Sequence, residues 1–243
     1  MLRDLSGRYQ RHVSNLLARH ERREALELAV GGSFAAAGEL EARILDLAGH
    51  RPGGYVIDVG CGCGRLAAAL APTHPGPYLG IDVVGDLVDE AARRARRPDW
   101  RFEVGDGLTI PEADSRADCV SFFSVFTHLP HEACYCYLQE ARRVLRPGGR
   151  VVLSFLEFQD RARWPIFEDM AQTVETDRHH VQFADRTAIR VWGRHSGLDV
   201  VAMAPTHGRL AAAARRVARR LGHPGGLGGA ALRLGQSVAV LRG

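Results

Sequence analysis

Apolar residues along the chain change period several times, and the changes divide it into elements. Over residues 1–50 they recur at helical spacing: Leu16, Leu17, Leu26 and Leu28 stand among charges, and Leu40, Ile44, Leu45 and Leu47 form a second face that ends at Gly49. Gly31-Gly32-Ser33-Phe34 interrupts the two. From Tyr55 the pattern becomes that of a buried strand, closed by Gly60. Next come a predicted helix over 64–71, a strand over 77–83, a helix over 86–96, and strands over 100–106 and 118–125. A helix over 131–145 is stopped by Arg146-Pro147-Gly148-Gly149, and a strand over 150–158 begins at once. After a less regular stretch, 159–184, the pattern predicts a helix over 185–196, a strand over 198–204, an Ala/Arg helix near 209–221 and a last strand over 236–241. Strands that alternate with helices predict an α/β fold, a doubly wound and mostly parallel sheet. Such sheets bind ligands at the carboxyl ends of their strands, where strand order reverses. The expected organisation is a helical cover over 1–50 and one α/β unit over 51–243, with insert segments at 159–184 and 206–235.

Composition bounds this picture further. The chain has 243 residues, 46% of them hydrophobic, enough for one sizeable core. No apolar run reaches the roughly 18 residues of a membrane span, and the start, MLRDLSGRYQRHV, lacks an apolar stretch of signal type, so a soluble cytoplasmic protein is expected. The net charge of +4 hints at nucleic acid until it is divided: residues 200–243 hold seven arginines and no acid, which leaves −3 for residues 1–199. All 32 basic residues are arginine, so a Schiff-base lysine and a Walker-type phosphate loop are excluded. Five cysteines, Cys61, Cys63, Cys119, Cys134 and Cys136, make an odd count that argues against a disulfide framework. The C-x-C spacing is tighter than structural zinc uses, so no metal site is expected.

The chemistry concentrates in Asp58-Val59-Gly60-Cys61-Gly62-Cys63-Gly64, which leaves the first strand and enters a helix. Alternate glycines let the backbone turn sharply and approach a ligand closely. The nicotinamide-dinucleotide fingerprint G-x-G-x-x-G needs a glycine where this chain has Arg65. Acids then end the next two strands, Asp82 in LGIDVV and Asp106 in EVGDGL. A carboxylate accepts two hydrogen bonds at once and suits a vicinal diol.

In this order the motifs resemble the class I S-adenosylmethionine-dependent methyltransferases, whose first motif is an acid followed by G-x-G-x-G. The resemblance covers about residues 50–158 and includes the Arg146-Pro147-Gly148-Gly149 turn. It implies a seven-stranded Rossmann-like sheet with an antiparallel last strand, and S-adenosylmethionine as cofactor. It assigns the cofactor to Asp58, Gly60, Cys61, Gly62, Gly64, Asp82, Val83, Asp106, Gly107, Leu108 and Phe123, with Asp82 on the ribose hydroxyls and Asp106 to Leu108 at the adenine edge. It also likens the Gly31-Gly32-Ser33-Phe34 break to the family's N-terminal lid.

Residues after the fourth strand face the transferred methyl in that family, and here they read Phe123-Ser124-Val125-Phe126-Thr127-His128-Leu129-Pro130. No Asn or Asp precedes a Pro-Pro-Tyr, the pattern used on planar nitrogens, so the expected acceptor is a small molecule methylated at a hydroxyl oxygen. A base is expected from His128, or from His179 or His180 in the insert. Capping of the helix near His131 is the alternative role of His128. Tyr9, Phe34, Phe126, Phe158, Trp164 and Phe183 would shape an apolar acceptor pocket, or simply pack the core. An rRNA- or tRNA-directed enzyme using the arginine-rich segment, and a binding protein without turnover, are the competing readings; the segment lacks aromatic residues for base stacking.

Overall fold

The computed structural model describes residues 2–172, 181–204 and 235–243. Its centre is a pair of short parallel strands, β1 (Val56–Val59) and β2 (Tyr78–Asp82), in which every residue is buried. Strands covered on both faces read as unbroken apolar runs, as these two do in the sequence. β3 (Arg101–Val104) continues the sheet beyond β2, and β4 (Ala117–Phe122) pairs with β1 on its other side. β5 (Leu145–Glu157) follows β4 in parallel. The last strand, β8 (Ser237–Arg242), then inserts antiparallel between β5 and β7 (Asp199–Ala204), giving the order β3-β2-β1-β4-β5-β8-β7. Strand order reverses between β1 and β4, so the carboxyl ends of β1, β2 and β4 border the crevice where ligands collect in such sheets.

Side-chain alternation sorts the strands onto two cores. Ile57, Val59, Leu79 and Ile81 face a core closed by α6 (His131–Val144) and α8 (Arg186–His195), through Leu138, Ala141 and Ile189. Val56 and Tyr78 face the other way, onto α3 (Phe34–Leu47), α4 (Arg65–Leu70) and the end of α5 (Gly85–Ala95). A third cluster joins α1 (Leu2–Leu17) and α2 (Arg22–Val30) to the site end of the sheet, with Val13 and Leu26 packed on Cys63, Val84 and Leu87. Four of the five cysteines are buried, Cys63, Cys119 and Cys134 of them in these cores; Cys136 is exposed. Leu28, one of the apolar positions set among charges, is half exposed, because the buried stripe of α2 runs through Ala25 and Leu26.

The structure departs from the predicted elements in two further places. β5 begins at Leu145, directly after α6, because Leu145 pairs with Ala117 before the Pro147-Gly148-Gly149 irregularity shifts the register. The stretch after β5 contains a helix, α7 (Trp164–Gln172), and a two-residue strand, β6 (Phe183–Ala184), that pairs with the end of β5 and raises the strand count to eight. The predicted helix near 209–221, with most of the 206–235 segment, lies outside the described residues.

Candidate active site

The glycine loop follows β1 and wraps the end of β2. Gly60 and Cys61 both donate their N–H to the Ile81 carbonyl, at 2.7 and 2.9 Å, which ties the loop to β2. Gly64, at φ 84°, caps α4; a Cβ there would lie 2.6 Å from the Ala91 Cα of α5. Gly62, at φ 53°, faces the cover, where a Cβ would come within 2.6 Å of Val30. Both positions combine a left-handed backbone with close approach, which only glycine accommodates.

Asp82 is the acid at the centre of the cleft. Its carboxylate accepts from Gly62 N–H at 3.0 Å and from Val84 N–H at 3.1 Å. Burial nevertheless pushes its pKa up to about 6, against the lowering effect of these amides. Asp58 is placed differently. It accepts from Tyr78 Oη and Ser121 Oγ, each at 2.7 Å, beneath the loop and away from the cleft surface. Burial pushes its pKa up to about 6 as well. Asp106 turns its carboxylate back on its own chain, accepting from the Leu108 and Thr109 N–H groups and the Thr109 hydroxyl at 2.7–2.8 Å. Burial alone would raise its pKa; those donors hold it below the ordinary value.

The cleft holds a cavity of about 140 Å³. Of the residues assigned from the sequence, Gly60, Cys61, Gly62, Asp82, Val83, Gly107, Phe123 and His128 line it together. Asp58, Gly64, Asp106 and Leu108 do not: the first lies under the loop, Gly64 is spent on the helix cap, and the Asp106 turn keeps Leu108 behind Gly107. His179 and His180 lie outside the described residues. Among the described residues no cluster of three or more His, Cys, Asp or Glu side chains is placed to hold a metal.

Residues beyond the assigned cofactor and base candidates complete the walls. Ser6 and Tyr9 of α1 and Ala29 and Val30 of α2 cover the cleft, and Gln10 donates to the Val83 carbonyl at 3.1 Å. Arg65, the first residue of α4, pairs its Nε with Glu41 of α3 at 2.8 Å and reaches the Val30 and Gly31 carbonyls at 3.4 Å. Burial pushes the Glu41 pKa up to about 8 despite Arg65. A buried pair of this kind joins the cover to the glycine loop, and losing either member strands the other. The turn after β4 supplies the far wall: Thr127 Oγ1 donates to the Ser124 carbonyl at 2.8 Å, His128 N–H donates to Val125 at 2.9 Å, and the His128 ring stacks on Tyr9 with centroids 6.5 Å apart. Burial raises the phenol pKa of Tyr9 and Tyr137 well above the ordinary value, and does the same to the Cys61 thiol.

Comparison with known proteins agrees with this geometry. Residues 56–149 match a family model described as a methyltransferase domain. Over residues 56–149 the chain therefore carries a methyltransferase domain, whose cofactor is S-adenosylmethionine. Over 124 residues it is 33% identical to 27-O-demethylrifamycin SV methyltransferase of Amycolatopsis mediterranei, covering 48% of this chain and 45% of that protein. Over 130 residues it is 39% identical to demethylmenaquinone methyltransferase of Beutenbergia cavernae, covering 51% and 48%. The matched part thus spans about half the length of these curated relatives. The structure of magnesium protoporphyrin IX methyltransferase from Synechocystis, with bound SAH, superposes with a TM-score of 0.60 over 86% of this chain and 85% of that one; at 18% identity the likeness establishes the fold.

The residues present fit the cofactor. Asp82 is a buried carboxylate whose two amide donors leave it short of full stabilisation, and a ribose diol would offer it two more. The glycine loop leaves open backbone beside it, while Val59, Ile81, Val83 and Phe123 offer apolar contact. No helix among the described residues is long and apolar enough to cross a membrane.

Proposed function

We propose that the protein transfers a methyl group from S-adenosylmethionine to a hydroxyl oxygen of a small molecule, with His128 as the base. When bound, the cofactor supplies an electrophilic methyl group on a sulfonium. Asp82 and the Gly60–Gly64 backbone would hold it, and α1 and α2 would keep water from the cleft. Alignment of the acceptor oxygen supplies most of the rate, and removal of its proton supplies the rest.

The observation that carries the choice of base is the state of the other titratable groups in the cleft. Asp82 is engaged by two amides, Tyr9, Tyr137 and Cys61 are held in their protonated forms, and Arg65 is a cation. Among the described residues that line the cavity, the His128 imidazole is the remaining side chain suited to accept a proton near neutral pH. A hydroxyl acceptor is also supported by the name of the Amycolatopsis relative, an O-demethyl compound's methyltransferase. The test measures S-adenosylhomocysteine release with a panel of hydroxylated small molecules. His128→Gln is expected to lower kcat by roughly 10²-fold or more with unchanged affinity for S-adenosylhomocysteine. Unchanged kcat would remove His128 from the mechanism.

A further inference from the structure

Ser124, two residues past the end of β4, sits in the left-handed region, at φ 60°, and lines the cleft. A residue with a Cβ stays there only when its surroundings over-determine it. Those surroundings are a closed ring of polar groups. Ser124 N–H donates to Ser154 Oγ on β5 at 2.7 Å, the Ser154 hydroxyl donates to Gln236 Oε1 at 2.7 Å, and Gln236 Nε2 donates to Ser124 Oγ at 2.9 Å. Arg65 Nη2 approaches the same Ser124 Oγ at 3.4 Å.

The direction of these bonds decides what Ser124 can do. Ser154 is 0% exposed, so its proton needs an acceptor inside the protein, and Gln236 Oε1 supplies one. That fixes the amide with its nitrogen toward Ser124. A hydroxyl has two lone pairs and one proton. Both Ser124 lone pairs now face N–H donors, and among the described residues no hydrogen bond takes its proton. The cleft is where that proton can still find a partner. Arg65 lines the same cleft and lies within 3.4 Å of the Ser124 hydroxyl, so two donors stand side by side there, the complement of an anionic oxygen.

We propose that Gln236 and Ser154 are positioning residues that lock the Ser124 hydroxyl as a hydrogen-bond donor to a carboxylate oxygen on the amino-acid tail of the cofactor, beside Arg65. The inference rests on the reading of this cleft as the cofactor site. It gives a role to a residue 112 positions from the one it acts through, on the segment that enters β8.

Gln236→Glu tests it, because a carboxylate keeps the ring's shape but offers only acceptors, so the Ser124 proton turns inward. Calorimetry with S-adenosylhomocysteine is expected to show Kd raised about tenfold or more in Gln236→Glu and in Ser124→Ala, with the double variant no weaker than the weaker single one. With the decarboxylated analogue of S-adenosylhomocysteine, all of these proteins should bind alike. Wild-type affinity in Gln236→Glu, or the same loss toward the decarboxylated analogue, would overturn the proposal. Ser124→Ala carries the same comparison if Gln236→Glu does not fold. A wild-type protein that binds S-adenosylhomocysteine no better than Asp82→Ala would instead overturn the reading of the cleft.

Discussion

Cofactor affinity should fall with acid in a way traceable to one carboxyl group. Burial raises Asp82 from 3.8 to about 6 in the ligand-free protein. Ribose hydroxyls donate to the charged form, so the complex returns the group toward its ordinary pKa and binds fewer protons than the free protein. Affinity is therefore full above pH 6 and falls about tenfold per pH unit below it, until the pKa of the complex is reached. The span is about 2 pH units, which is about 3 kcal/mol at 1.36 kcal/mol per unit, or about 10²-fold in Kd. Between pH 7 and pH 5 the expected rise is about tenfold. Calorimetric titration with S-adenosylhomocysteine at pH 7, 6 and 5 measures this. Asp82→Asn should bind about 10²-fold more weakly at pH 7 and show no slope. Asp58→Asn should keep the slope, because Asp58 faces Tyr78 and Ser121 beneath the loop. A flat profile in the native protein, or a slope that survives Asp82→Asn, would refute the assignment of Asp82 to the ligand.

Two other perturbations follow from the same contacts. Arg65→Met leaves the Glu41 carboxylate, 1% exposed, without its partner. Glu41 has a raised pKa of about 8, so its stabilising contribution is present at low pH and is lost as pH rises through that value. Thermal melts of Arg65→Met should show a deficit that widens above about pH 8, by up to about 1.4 kcal/mol per pH unit, and Glu41→Gln in the same chain should flatten it. A pH-independent deficit would contradict this. Gly64→Ala forces a Cβ to within 2.6 Å of the Ala91 backbone at φ 84°, and should lower stability by about 2 to 4 kcal/mol in denaturant titrations. A change below about 0.5 kcal/mol would show that the loop tolerates a side chain.

Where burial alone decides structure, the sequence was a sufficient guide. Strands β1 and β2 are covered on both faces, so their apolar runs stand out, and the glycine loop and Asp82 follow at their ends. The helix α7 escaped notice because none of its residues is buried; Trp164, Ile166 and Phe167 form no stripe onto a core. The strand-end acids look alike in sequence, yet Asp58 is taken by Tyr78 and Ser121 and Asp106 by its own turn, choices made by neighbours in space. Arg65 and Gln236 had no local signal, and Ser124 none beyond its place after the fourth strand. Their roles depend on hydrogen bonds spanning 59 and 112 residues, which no periodicity encodes.

The central claim, methyl transfer to a hydroxyl oxygen, is tested most directly by following the label from ¹³C-methyl S-adenosylmethionine. The protein is incubated with a mixture of small hydroxylated compounds and, separately, with total RNA, and the products are read by carbon NMR and mass spectrometry. The expected result is a ¹³C-methyl ether or ester in the small-molecule fraction, formed with stoichiometric S-adenosylhomocysteine and reduced by His128→Gln. Label bonded to carbon or nitrogen, label in the RNA, or no transfer at all would contradict it.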